Sequence, residues 1–261
     1  MRFIILSAVP CCLNAQPSQP DTNASATSAA AQQRSTYERP VSWKTVVPNI
    51  GSDQAKVWLF PAKLTKKRVW IPTALILGTT AALIALDSQN APYFHKTSSF
   101  SGYNRALNSN ATGIGTAVVP ASLYVAGFFT KNSKAKTTAL LAGGAVADTE
   151  ILATVLKDSF RRARPASLPI NGNYWDTWFD HKGSAINSNS SMPSGHTIAA
   201  FAVATVIARQ YGNHRWVPYV SYGLAAAVGF SRVTLSAHFV SDVFVGGALG
   251  YSVSRFAVLR Q

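Results

Sequence analysis

The sequence predicts an all-α fold, a six-helix bundle that is transmembrane, with a disordered N-terminal leader. Three observations support this prediction. Six apolar runs are separated by polar segments. Charged residues make up only 13% of the chain, against about 25% in ordinary soluble domains. The alternation of apolar and polar residues that is typical of a strand is sustained nowhere. A membrane bundle is therefore favoured over a soluble one.

The six apolar runs are the candidate helices. A helix that crosses a bilayer needs about 20 mostly apolar residues, within a range of roughly 17–25. The first, second, third and sixth runs satisfy this length, whereas the fourth and fifth are short unless flanking residues extend them. In chain order the runs comprise residues 69–86, 113–129, 137–156, 197–208, 216–230 and 239–259.

Composition excludes several classes of protein. The chain has 261 residues, with 24 Lys plus Arg and 10 Asp plus Glu, which gives a formal net charge of +14. Nucleic-acid binders usually cluster their basic residues on one face or in a tail. Here the basic residues are spread in small groups between apolar runs, so we expect no nucleic-acid partner. Cys11 and Cys12 are the two cysteines, so neither a disulfide framework nor a cysteine-based zinc site is expected. The sequence carries no signal for an oligomeric state.

The chain divides into four segments by composition. Residues 1–15 resemble a short export signal, with Arg2 before an apolar stretch. An inconsequential stub is the alternative. Residues 16–40 are rich in Ser, Ala, Gln, Thr and Pro, which predicts a disordered linker. Residues 41–64 mix aromatic and basic residues and are expected to form an interfacial segment or a plain loop. Residues 65–261 form the helical-bundle domain.

Loop charges predict the orientation of the bundle. Basic residues fill alternate loops, which lie on one face, and the positive-inside rule places that face in the cytoplasm. The predicted location is a bacterial-type inner membrane, with the opposite loops on the periplasmic face. A cleaved signal conflicts with this, because it would leave the new N-terminus outside unless the first helix is re-entrant or peripheral. The basic residues are Lys63, Lys66, Lys67, Arg68, Lys131, Lys134, Lys136, Arg209, Arg215, Arg255 and Arg260.

Three short segments carry the candidate chemistry, and the helix pattern places all three on the outward face. The first ends the third run, the second opens the fourth, and the third joins the fifth and sixth. Taken alone, each segment could be explained structurally, as a helix stop, a turn or a hydrogen-bonded pair. Three such segments in order on one face favour a functional site. They are Lys157 with Arg164-Pro165, Pro193-Ser194-Gly195-His196, and Ser231-Arg232 with His238 and Asp242.

The cationic members of this set are suited to bind a phosphate. Lys157, Arg164 and Arg232 supply positive charge, and the planar fork of arginine matches phosphate oxygens. Ser194 is placed to cap the following helix. The free amides and the dipole of that helix start attract an anion, and Gly195 lets the backbone approach it closely.

The two histidines are suited to transfer the phosphate. His238 and Asp242 are four residues apart, so on a helix they share a face. A carboxylate bonded to one imidazole nitrogen fixes the tautomer and makes the other nitrogen nucleophilic. His196, on the other side of the pocket, is placed to protonate a leaving oxygen.

These residues resemble the signature of the type 2 phosphatidic acid phosphatase / vanadium haloperoxidase superfamily, K-x6-R-P, P-S-G-H and S-R-x5-H-x3-D, with every position matched. The resemblance covers residues 69–259. It implies a helical bundle, in a six-span membrane form or a soluble form, and hydrolysis of a phosphomonoester or pyrophosphate through a phosphohistidine, with no metal and no cofactor. By position His238 is the nucleophile, Asp242 orients it and His196 is the general acid. The implied phosphate-binding residues are Lys157, Arg164, Ser194, Gly195 and Arg232.

Four functions stay open at this point. The first is a membrane phosphatase that acts on a lipid phosphate, such as phosphatidic acid or undecaprenyl pyrophosphate. The second is a soluble periplasmic acid phosphatase. The third is a vanadium-dependent haloperoxidase, in which case vanadate would be the cofactor. The fourth, a non-catalytic binder or transporter, ranks last because both histidines and Asp242 are present.

Two further features carry weaker predictions. Asp148 and Glu150 lie within the third apolar run, where charges are expensive. Glu150 is two turns before Lys157 and is expected either to pair with a site cation or to line a wet helix interface. The loop over residues 173–192 is expected to hang over the pocket, as a substrate-selecting or merely solvated lid. Its notable side chains are Tyr174, Trp175, Asp176, Trp178 and His181.

Overall fold

The chain forms α-helices and short helical turns, without a β-strand, over the residues that the computed structural model describes, which are 39, 41–179 and 190–259. The predicted signal, most of the predicted linker, His181 and Arg260 lie outside these residues. Within them there are eight α-helices, numbered in chain order: α1 Trp43–Trp58, α2 Lys67–Lys96, α3 Ser101–Ala106, α4 Ser109–Phe129, α5 Ser133–Phe160, α6 Gly195–Gln210, α7 Trp216–Thr234 and α8 Val240–Val253.

The predicted all-α bundle is confirmed, because the six apolar runs coincide with α2, α4, α5, α6, α7 and α8. Asparagine side chains cap two of these helices: Asn108 accepts from the amide of Ala111 at α4, and Asn132 from that of Ala135 at α5. Such caps satisfy backbone N–H groups that have no partner inside the helix. The runs therefore become helices with defined starts.

Within the described part of the chain, three stretches are long and apolar enough to cross a membrane, Val69–Lys96, Ser109–Phe129 and Ser133–Ser167. They expose large apolar side chains, as at Leu75 and Phe129. The sixth run was also expected to qualify by length. Its α-helical part, α8, is only 14 residues long, and the chain then continues as a π-helical turn over Ser254–Val258. The length and composition of the three stretches indicate a membrane protein.

Helix α6 lies at the centre of the bundle, against α5, α7 and α8. Most of its side chains are small and buried. Helix α8 approaches it closely at Gly246 and Gly250. A Cβ atom on Gly250 would lie 2.3 Å from the carbonyl oxygen of Ile198, and one on Gly246 would lie 2.9 Å from that of Ser194. Glycine at both positions is therefore what allows α8 to pack on the first turns of α6.

Helix α1 occupies much of the 41–64 segment, which the sequence left as an interfacial segment or a loop. It packs along α5 and the C-terminal turn. Gln54 donates to the Asp148 carboxylate at 2.9 Å, and Asp53 is buried with Arg39 at 2.5 Å and Lys56 at 3.0 Å. Polar contacts thus hold α1 against the bundle.

Candidate active site

The three motif segments meet at one end of the bundle. Lys157 is on the last turns of α5, Ser194 precedes α6, and His238 lies between α7 and α8. The amide of Ser194 donates to the carbonyl of Asp242 at 3.2 Å, which joins the second segment to the third. The structure therefore brings all eight predicted site residues into one region.

The imidazole of His238 is buried and held in one tautomer. Its Nδ1 lies 2.6 Å from the carbonyl oxygen of Ser191. A carbonyl oxygen only accepts, so Nδ1 carries the proton and the lone pair is on Nε2. Burial, together with the positive charge of Arg164, lowers the pKa of His238 well below the ordinary value. At neutral pH the ring is therefore neutral, with Nε2 able to act as a nucleophile.

Asp242 is fully buried. The four-residue spacing predicted a direct hydrogen bond between its carboxylate and His238, but the structure shows none. Oδ2 of Asp242 lies 3.9 Å from Nδ1 of His238. That oxygen instead accepts from the Ser191 hydroxyl at 2.5 Å and from the amide of Phe239 at 2.9 Å. Ser191 therefore stands between the two residues, since its hydroxyl contacts the carboxylate and its carbonyl contacts the imidazole.

Arg162 is a buried member of this region that the sequence did not single out. Its Nη1 donates to Oδ1 of Asp242 at 2.7 Å, and its Nη2 donates to Oδ2 of Asp87 at 2.8 Å. The available signals were local: Arg162 is two residues before Arg164, and Ser191 is two before Pro193. Asp87, on α2, has no neighbouring motif that could have revealed it.

The α5 side of the site carries Lys157 and Glu150. A Cβ on Gly195 would lie 3.1 Å from Nζ of Lys157 and within 3.9 Å of both carboxylate oxygens of Glu150. Glycine at 195 therefore leaves room for the lysine beside the start of α6. Ser194 is at the N-cap position, but its hydroxyl contacts that of Thr197 at 2.8 Å rather than a backbone amide.

The opposite side of the site carries Arg232 and His196, which meet at the first residue of α4. Arg232 donates to the hydroxyl of Ser109 at 2.9 Å and to the carbonyl of Leu107. His196 Nε2 lies 3.0 Å from the carbonyl of Ser109. Burial, followed by the charge of Arg232, lowers the pKa of His196, which the Ser109 hydrogen bond partly opposes. Ser109 was not predicted.

Asp148 and Glu150, the acidic residues of the third apolar run, have separate surroundings. Glu150 lies beside Lys157 and Gly195, whereas Asp148 accepts from Gln54 of α1. In the loop after α5, Tyr174 is buried, with its hydroxyl 3.0 Å from Nδ1 of His95, and Trp175 is exposed. Among the described residues there is no group of three or more His, Cys, Asp or Glu side chains placed to hold a metal ion.

Comparison with known proteins shows what this region is similar to. Residues 137–261 match the family model "PAP2 superfamily". The chain is 42% identical over 74 residues to lipid A 1-phosphatase of Porphyromonas gingivalis, covering 28% of this chain and 16% of that protein. It is 34% identical over 108 residues to phosphatidylglycerophosphatase B of Bacillus subtilis, covering 38% and 46%.

The chain is also similar to a third sequence relative and to one solved structure. The chain is 32% identical over 118 residues to decaprenylphosphoryl-5-phosphoribose phosphatase of Mycobacterium tuberculosis, covering 44% of this chain and 56% of that protein. A solved structure of a transmembrane PAP2-type phosphatidylglycerolphosphate phosphatase from Bacillus subtilis aligns with a TM-score of 0.41 and 21% identity, over 78% of this chain and 92% of that one. The chain thus spans at most about half the length of these sequence relatives. The part of the chain that matches the family model, residues 137–261, is the part that carries the three motifs.

Proposed function

We propose that the protein is a phosphatase that hydrolyses a lipid phosphate, either a phosphomonoester or a pyrophosphate, through a phosphohistidine and without a metal ion. The observation that carries the proposal is the state of His238. Its ring is neutral, its Nδ1 proton is committed to Ser191, and its Nε2 lone pair is available beside the positive charges of Arg164 and Lys157. This arrangement supplies both a nucleophile and an environment for an anionic substrate.

The first step forms a bond from Nε2 of His238 to phosphorus while the bond from phosphorus to the leaving oxygen breaks. Protonated His196 gives its proton to that oxygen. In the second step a water molecule attacks phosphorus, the phosphorus–nitrogen bond breaks, and His196 takes up a proton from the water. Inorganic phosphate leaves, and both histidines return to their starting states.

Positive groups surround the position of the transferred phosphoryl group. Lys157 and Arg164 approach from α5 and its following turn, Arg232 from α7, and the first amides of α6 add the dipole of that helix. Charge that develops on the phosphoryl oxygens in the transition state is stabilised by such fixed donors. Ser194 and Gly195 form the start of α6, where the backbone approaches the anion.

A lipid is the substrate class that the surroundings support best. Helices α2 and α4 expose apolar side chains along their length, so an acyl or prenyl chain has an apolar surface beside the site. The similar proteins are named lipid A 1-phosphatase, phosphatidylglycerophosphatase B and decaprenylphosphoryl-5-phosphoribose phosphatase. Because the basic loops lie at the other end of the helices, we place the site on the periplasmic face.

The test is phosphate release by the purified full-length chain in EDTA, from phosphatidic acid, undecaprenyl pyrophosphate and p-nitrophenyl phosphate. We expect release that His238→Ala abolishes and that the matched control His214→Ala retains, because His214 is exposed in the turn between α6 and α7. A preference for either lipid would support the lipid assignment.

The same experiment contains the contrary outcomes. Equal or better turnover of p-nitrophenyl phosphate would favour a soluble-type acid phosphatase. Absence of release from all three substrates, in a folded sample that binds vanadate, would reject the phosphatase. It would direct the next assay to bromide oxidation with added vanadate. Recovery of activity only after magnesium is added would reject the metal-independent mechanism.

A further inference from the structure

We propose that Asp87, Arg162 and Ser191 are positioning residues for the nucleophile, and that they fix Asp242 and the ring of His238 in the reactive arrangement. This inference rests on the proposed function, because it assigns these residues to the same reaction. It adds to the three motifs a residue from α2, which contributes no motif residue.

The guanidinium of Arg162 bridges two carboxylates. Nη1 donates to Oδ1 of Asp242 at 2.7 Å and also to the hydroxyl of Ser241 at 2.7 Å. Nη2 donates to Oδ2 of Asp87 at 2.8 Å, and that same oxygen accepts from the Ser241 hydroxyl at 2.5 Å. All four residues are essentially inaccessible to solvent. The rotation of the Asp242 carboxylate is therefore set by a contact that Asp87 anchors on α2.

Aromatic rings prevent the guanidinium from swinging away. Its central carbon lies 4.0 Å from the ring centre of Phe239 and 4.5 Å from that of Trp178. Nε also contacts the Thr177 hydroxyl at 3.3 Å. A planar, delocalised cation stacks on rings in this way, whereas the compact ammonium of lysine cannot stack and bridge both carboxylates together.

The backbone of Arg162 sets the position of Ser191. The amide of Ser191 donates to the carbonyl of Arg162 at 2.7 Å, and the amide of Arg162 donates to the hydroxyl of Ser190 at 3.0 Å. Ser191 in turn accepts from His238 through its carbonyl and donates to Asp242 through its hydroxyl. One residue thus fixes both the carboxylate and the carbonyl that determines the imidazole tautomer.

Stability alone is a weak reason for such a network. Two carboxylates and one guanidinium are removed from water, and buried ion pairs of this kind are often no more stable than well-packed apolar residues of similar volume. What the charges specify is geometry. Arg162 donates to Oδ1 of Asp242, while the Ser191 hydroxyl and the Phe239 amide donate to Oδ2. Oδ2 therefore stays 3.9 Å from Nδ1 of His238. We infer that the network prevents a direct carboxylate–imidazolium pair.

The test compares Asp87→Asn, Arg162→Lys and Ser191→Ala with the control Arg161→Lys. Arg161 is adjacent in sequence but half-exposed, and it pairs only with Asp158 among the acidic residues described. We expect kcat to fall by about 10- to 100-fold in the three variants, as when outer hydrogen-bond partners of reactive groups are removed. KM should change little, because the phosphate-binding cations are untouched. The control should match the wild type.

A second readout does not depend on turnover. Nitrogen NMR of histidine-labelled protein, with the His238 signal assigned by its loss in His238→Gln, reports the tautomer and the titration of the ring. In the wild type we expect the Nδ1–H form, which is kept uncharged by burial and by the influence of Arg164, Lys157 and His196. In Asp87→Asn and Arg162→Lys, a mobile Asp242 should favour the imidazolium and raise the pKa of His238.

The kinetic and NMR readouts distinguish a failure of the proposed function from a failure of the positioning proposal. A wild type without activity would reject the proposed function, while the NMR comparison would still test the positioning. An active wild type whose variants keep both kcat and the His238 spectrum would overturn the positioning proposal. So would an equal loss of activity in the Arg161→Lys control. If a charge variant fails to fold, Ser191→Ala, which removes a single oxygen, gives the same two readouts.

Discussion

The proposed roles of His238 and His196 require different protonation states, and the surroundings of each residue affect its pKa. Burial and then the positive charge of Arg164 lower the pKa of His238 and keep it neutral, which is the state that its proposed role as nucleophile requires. His196 is half-buried, and its pKa is lowered by burial and by Arg232, yet a general acid must carry a proton. This mismatch between the lowered pKa and the proposed acid role of His196 predicts a distinctive pH dependence.

For the wild type we expect kcat/KM to fall as pH rises through the lowered pKa of His196, because the protonated fraction of the free enzyme decreases above it. A bound phosphate dianion stabilises imidazolium, so the fall in kcat should lie at higher pH. Steady-state profiles with a lipid phosphate check this. In His196→Ala the descending limb should disappear, with kcat reduced by roughly 10²–10⁴-fold. Coincident limbs for kcat and kcat/KM would contradict the assignment.

Glu150 is an acidic residue beside the proposed phosphate site. It lies next to Lys157 and the start of α6, so its carboxylate repels a phosphate held there. We expect Glu150→Gln to tighten inhibition by inorganic phosphate by roughly tenfold, which corresponds to about 1.4 kcal/mol of repulsion. Asp148→Asn on the same helix is the control, because that carboxylate contacts Gln54 instead. Weaker inhibition in Glu150→Gln would show that the carboxylate mainly positions Lys157.

At the scale of elements, the site depends on how closely α8 approaches α6. Gly246 and Gly250 face the carbonyls of Ser194 and Ile198, so the first turns of α6 are placed by a helix that also carries Asp242. The start of α6, which carries the proposed phosphate-binding residues Ser194 and Gly195, is therefore in direct contact with the helix that carries Asp242.

We expect Gly250→Ala to lower the unfolding midpoint in detergent, because its Cβ would lie 2.3 Å from a backbone oxygen that cannot move independently of α6. Overpacking of this kind costs about 1–3 kcal/mol. The control Gly223→Ala on α7 has open space around its added Cβ and should be neutral or stabilising, since alanine favours helix over glycine by up to about 1 kcal/mol. Equal midpoints in the two variants would argue against the close contact.

The sequence predicted the helices well and the polar contacts between them poorly. Long apolar runs between polar loops are local patterns, and all six became helices. Helix α1 escaped detection because Pro48, Lys44 and Asp53 interrupt its apolar face, and Asp53 is buried only through pairing with Arg39 and Lys56. Its stability depends on tertiary contacts.

In the candidate site, too, the sequence predicted the local arrangement but not the polar contacts between distant segments. The motif spacing placed His238 near Asp242, and the structure sets them 3.9 Å apart. That Asp242 turns toward Ser191 and Arg162 instead depends on Asp87, which is 75 residues from Arg162 along the chain. No spacing pattern within one helix or loop encodes a contact of that kind. The assigned catalytic roles and the domain boundaries stay predictions.

At the scale of the whole molecule, the site end and the basic end of the bundle are on opposite sides. The turn after α2 lies near the site, and the turn between α6 and α7 lies at the end with the basic loops. With Cys11 and Cys12 replaced by serine, we expect Ser98→Cys to react in intact spheroplasts with a membrane-impermeant maleimide. Asn213→Cys should react only after permeabilisation. The reverse pattern would place the site in the cytoplasm.

The conformation at the end of α5 explains the spacing within the first motif. The helix stops at Arg161, whose φ of 43° is left-handed, a conformation that side-chain-bearing residues seldom adopt. This single bend sends two adjacent arginines in different directions, Arg161 toward Asp158 at the surface and Arg162 into the interior. The six residues between Lys157 and Arg164 therefore include the length of chain needed to make that bend. If one of them were deleted, the bend would no longer direct Arg162 into the interior. The spacing is therefore a constraint on folding as well as on the proposed phosphate binding.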